Sequence, residues 1–128
     1  MRRNYFKIAA AAVLTAAICL SGTVSVLAGG VATSDWYELP YHVLMKVEID
    51  YLDAYASADS DISVEEMRLN GKATNPYNVT YLYAYGENAY HISDSASLQL
   101  GVDYVEADYY FYTSEGYSHS QMVSAAKQ

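Results

Sequence analysis

The chain has 128 residues, 15 acidic side chains against 7 basic, and a formal net charge of −8 at pH 7, the wrong sign for gripping a phosphate backbone or an anionic lipid surface. Its only cysteine is Cys19, so no disulfide framework can form within the chain and any fold must stand on its apolar core.

The first segment reads as an export signal. Arg2, Arg3 and Lys7 precede an apolar run of 13 residues, Ile8 to Leu20, which is too short to span a bilayer as an ordinary helix. Val26 and Ala28 then occupy the −3 and −1 positions of a cleavage site, and the cut is expected between Ala28 and Gly29. Ser21, Gly22, Thr23 and Ser25 dilute the alternative of an uncleaved anchor, and no stable membrane attachment is expected after cleavage. Loss of the leader leaves four basic residues against 15 acidic ones, a formal charge of −11, and no thiol. A secreted protein without disulfides fits a bacterial source, and a Gram-positive one better than others. The 100 residues that follow suffice for one domain.

All but Tyr5 of the 15 tyrosines fall after the leader, mostly in alternating runs, which favours pleated structure. Val43, Met45, Val47, Ile49 and Tyr51 alternate with Lys46, Glu48 and Asp50 and predict a first long strand; a helix through Leu44, Val47, Tyr51 and Tyr55 is the competing reading. Trp36, Tyr37 and Tyr41 are expected to tether the preceding segment to the core. A second strand from Ile62 to Leu69 is expected to close in a hairpin turn at Asn70-Gly71. Tyr77, Val79, Tyr81, Tyr83 and Tyr85 share one face of a third strand, expected to be the core face, with a turn at Gly86-Glu87-Asn88.

From Ala89 the apolar set is Ala96, Leu98 and Leu100, and after Gly101 it changes phase to Val105, Ala107, Tyr109 and Phe111, so a turn or bulge is expected between them. The whole predicts an all-β fold, a small antiparallel sandwich or meander barrel of five or six strands after an N-terminal signal-peptide helix. Residues 1–28 form the leader, 29–115 the β domain and 116–128 a loosely held tail.

Candidate chemistry is sparse. The run Asp59-Ser60-Asp61-Ile62-Ser63-Val64-Glu65-Glu66 resembles the second half of an EF-hand calcium loop, an apolar residue followed four positions later by a carboxylate. That resemblance implies a calcium site at Asp59, Asp61 and Glu66, but counting Glu66 as the last loop position puts Tyr55 where an Asp ligand belongs and Ser60 where the turn glycine belongs. Calcium is therefore the sole cofactor considered. His42, His91 and His119 lack metal-ligand spacing, and a Ser/His91/Asp94 set has no nucleophile turn around it, so no enzymatic activity is expected.

On the last strand Tyr104, Tyr110 and Tyr112 face away from the predicted core beside Glu106 and Asp108. Rigid amphipathic rings in that position suit recognition of an extracellular protein or carbohydrate surface. A secreted, non-enzymatic binding protein is the leading expectation, with no nucleic-acid partner. The other reading is an antagonistic protein similar in plan to lactococcin-type bacteriocins, from which the acidic balance departs.

Overall fold

The computed structural model describes residues 23–25 and 30–127, and among them the chain is all β. Seven strands follow one another: β1 (Thr23–Ser25), β2 (Val31–Glu38), β3 (Tyr41–Asp50), β4 (Asp53–Thr74), β5 (Val79–Ser97), β6 (Tyr104–Tyr112) and β7 (Ser118–Ala126). They form one nearly closed, barrel-like sheet in the order β1-β7-β6-β4-β3-β2, with β5 on the far edge of β4. All pairings are antiparallel except β1 with β7. The Ala28–Gly29 cut and the signal helix lie outside the described residues; β1 falls within the segment read as leader.

β4 organises the rest. It is 22 residues long, and its two halves share one edge between different partners: β3 pairs from Asp53 to Ser60, β6 from Glu66 to Thr74. Between them the register with β5 slips from Asp59 to Val64, a bulge in which the Ser60 hydroxyl donates to the Ile62 carbonyl at 2.7 Å. Bulges bend a strand and raise its twist. Here the bend brings both ends of β4 to one loop, where Val102 N–H donates to the Tyr51 carbonyl and Asp103 N–H to the Thr74 carbonyl, each at 2.8 Å.

The bend lays β2 and β3 over β6 and β7, and the core fills the space between. Met45, Val47, Met67, Leu69, Val105, Phe111 and Val123 are fully buried. Trp36 of β2 stacks on Phe111 at 5.9 Å and on His119 at 5.3 Å. Two polar links cross the core: Tyr109 Oη donates to the Lys46 carbonyl at 2.8 Å, and Gln121 Nε2 to Ser34 Oγ at 2.6 Å. Tyr41 Oη donates to the Glu115 carboxylate, fastening β3 to the β6–β7 turn.

Several expectations give way. The strand through Val43 to Ile49 forms and the helical alternative does not, but Tyr51 is exposed, at φ 54° in the two-residue turn to β4. Asn70-Gly71 does not turn; β4 runs straight through it, and the hairpin closes at Asn75–Asn78 instead. Gly71 is there because β6 comes close: a Cβ would lie 2.4 Å from the Glu106 carbonyl oxygen.

The Gly86-Glu87-Asn88 turn is likewise absent. β5 continues through it, with Asn88 at φ 50°. The face carrying Tyr77, Val79, Tyr81, Tyr83 and Tyr85 is not the core face, because those residues are exposed while Leu82 is buried. β5 bends so sharply that its halves meet on the inside, where a Cβ on Gly86 would sit 2.9 Å from that of Ala89. Only Leu82, Ala84, Ala89 and Ile92 fit there. Leu100, in phase with Leu98 in the sequence, is exposed at φ 70° in the loop that carries the phase change. Residues 118–126, expected within a loose tail, form β7, whose Val123 is fully buried.

Candidate recognition face

The outer surface of the second half of β4, with β5 and β6 on its two sides, is set by register. Tyr85, Arg68, Tyr110 and Ser120 make one row across β5, β4, β6 and β7; Tyr83, Asn70, Asp108 and Met122 make the next; Tyr81, Lys72, Glu106 and Ser124 the third. Glu66 and Tyr112 begin the row before, and Thr74 and Tyr104 the row after. Alternation puts all of them outward, because Met67, Leu69, Ala73, Val105, Ala107, Tyr109 and Phe111 between them are buried. The anticipated residues Tyr104, Tyr110 and Tyr112 thus lie on an outer face: the first two half-buried, the third exposed. β5 adds Tyr81, Tyr83 and Tyr85, which are 71%, 55% and 45% exposed.

Rings and charges are joined locally. The Arg68 guanidinium lies over the Tyr110 ring, 4.9 Å from its centroid, and its Nη1 is 3.3 Å from Glu66 Oε2. Tyr85 Oη donates to Glu87 at 2.9 Å and Tyr104 Oη to Glu106 at 3.1 Å. The Glu87 bond holds the Tyr85 phenol above its usual range, while partial burial does so for Tyr104. Asp108 is also raised, by partial burial first and the Glu106 charge second.

The outer face of the first half is polar. His42 Nε2 lies 2.7 Å from Asp35 Oδ1 and its Nδ1 3.5 Å from Asp61, with Tyr37 stacked on the ring at 4.2 Å. His91 Nδ1 lies 2.6 Å from Asp59 Oδ1. Hydrogen bonding to Asp35 raises the His42 pKa above 6.5, against an opposing effect of burial. Next to these pairs an open groove of about 490 Å³ is lined by Lys46, Glu48, Tyr55, Ser57, Ser93 and Ser95.

This geometry disperses the two other constellations noted in the sequence. Asp59, Asp61 and Glu66 belong to the bulge and the strand beyond it, and they go to His91, His42 and Arg68 respectively. Among the described residues no group of three acidic, histidine or cysteine side chains is placed to hold a metal ion. Asp94 does not meet His91; its carboxylate accepts the backbone N–H of Tyr83 at 2.8 Å.

Sequence reasoning missed Tyr81, Tyr83 and Tyr85 as surface residues, and Arg68 and Lys72 as their neighbours. The available signal was the opposite phase of β5: Ala84 and Gly86 follow Leu82 at every second position, and a face of shrinking side chains is one that something approaches closely. No family model, curated protein or solved structure matches the chain.

Proposed function

We propose that this is a secreted, non-enzymatic binding protein, released by cleavage after Ala28, that engages an extracellular protein or carbohydrate surface through the outer face of β4, β5 and β6. One observation carries the reading: Tyr81, Tyr83 and Tyr85 keep about half or more of their surface in water, on the same face as Tyr104, Tyr110 and Tyr112. Large rings left outside a core that had no room for them form an amphipathic platform of the kind that contact surfaces favour. Tyrosine suits this use because it offers much area at little conformational cost.

The face stands on regular strands, so the rings are held in place by the ladder beneath them. The test is capture of cell-surface material by the secreted protein, beside a Tyr83→Ser, Tyr110→Ser, Tyr112→Ser variant. Capture should fall sharply at an unchanged melting temperature. Undiminished capture by a folded variant would remove this face from the function.

A further inference from the structure

Arg68 shows what the face accepts. A guanidinium, a tyrosine ring and a carboxylate form one unit there, Arg68 on Tyr110 and against Glu66. The aromatic and acidic parts of the same unit recur as Tyr85 with Glu87 and as Tyr104 with Glu106, and Asp108 stands in the row of Tyr83. Among the described residues, Glu87, Glu106 and Asp108 make no ion pair. The face therefore holds four carboxylates, with Glu66 the fourth, against Arg68 and Lys72, and Arg68 is already engaged. Asp108, raised by partial burial and by Glu106, is a carboxylate whose charge nothing nearby offsets.

We propose that this face binds an extended basic polypeptide segment, whose arginine and lysine side chains stack on Tyr81, Tyr83 and Tyr85 and pair with Glu87, Glu106 and Asp108. This rests on the recognition-face reading and adds the partner's chemistry. Spacing and charge both select it. An extended chain presents alternate side chains on one side at about 6.7 Å, the interval at which Tyr81, Tyr83 and Tyr85 succeed one another along β5. Arginine over an aromatic ring beside a carboxylate gains from both the ring quadrupole and the ion pair. The net charge of −8, which rises to −11 without the leader, draws a basic segment in and repels polyanions.

The probe is an eight-residue peptide alternating arginine and serine, titrated calorimetrically into the protein at low and at physiological salt, beside a neutral hexasaccharide. Binding of the peptide, weakened by salt, is the expected result. Tyr81→Leu, Tyr83→Leu, Tyr85→Leu together keep every charge and should weaken it about tenfold, the loss of three exposed cation–π contacts. Glu106→Gln with Asp108→Asn keeps every ring and should both weaken binding and flatten its salt dependence.

Equal binding by the folded tyrosine variant would reduce the effect to bulk charge and overturn the proposal, as would binding of the hexasaccharide in place of the peptide. Should the peptide fail while cell-surface capture still requires the tyrosines, the partner chemistry is wrong and the face stands. Should the tyrosines matter to neither, both readings fall.

Discussion

The Tyr109 phenol donates to the Lys46 carbonyl across the core, and burial pushes its pKa well above the usual 10.0. Tyr109→Phe keeps the ring and leaves that buried carbonyl short of a partner, so unfolding in urea should show a loss of about 1–2 kcal/mol. His42 acts through protons. Its folded-state pKa is raised above 6.5, chiefly by the Asp35 hydrogen bond, so its stabilisation is complete below pH 6.5 and disappears as pH rises through the raised value. The melting temperature of the parent should therefore fall relative to that of His42→Gln between pH 6 and pH 8. Asp108 has the same sign for a different cause. Burial and Glu106 raise it above 3.8, so its ionised form weighs against the fold; Asp108→Asn should raise the melting temperature at pH 7, with the gain vanishing below pH 3.8.

Elements were legible where one face is buried and the other wet. β3 and β6 satisfy that, and both could be read from alternation, Val43 to Ile49 and Val105 to Phe111. β5 could be read as a strand but not by face, since aromatic propensity favours a pleated surface without saying which side is inside; its inner side is decided by the bend that brings Gly86 to Ala89 and Ile92. Asn70-Gly71 misled for a related reason. A glycine needed for close strand approach looks, in sequence, like one needed for a turn. Gly71→Ala should push β4 and β6 apart at the Glu106 carbonyl and cost about 1–3 kcal/mol, with amide exchange in β6 rising first. β5 is also an edge, and Asp94 blunts it by capping the Tyr83 N–H. Asp94→Ala should change stability little and promote self-association visible in light scattering.

At the scale of the molecule, the all-β class was readable from tyrosine alternation and frequent turn residues, while closure was not, because it depends on one bulge at Asp59 to Val64 inside a strand that serves β3 and β6 in turn. The same bulge is why the calcium-loop resemblance dissolved: it separates the three carboxylates instead of wrapping them round a point. Tyr104, Tyr110 and Tyr112 could be placed on an outer face because the intervening residues of β6 are plainly apolar; the β5 tyrosines could not, for want of the bend. β7 was hidden by a serine-rich sequence whose burial comes from packing against β2 through Gln121 and Ser34. A chain ending at Gly116 should accordingly lose cooperative unfolding, as followed by circular dichroism in urea.

The arrangement around β4 also sets an order of events. Its hairpins with β3 and β5 close over turns of a few residues, whereas the Gln121–Ser34 link joins positions 87 apart in the chain. Local pairing is cheap in loop entropy and distant pairing is not, so the rate-limiting barrier lies at the docking of β6 and β7 on a preformed β3–β4–β5 ribbon. Refolding on the millisecond-to-second scale follows for so non-local a topology. Until that docking occurs, Trp36 and Phe111 stand apart, and their stacking is a fluorescence clock for the last step.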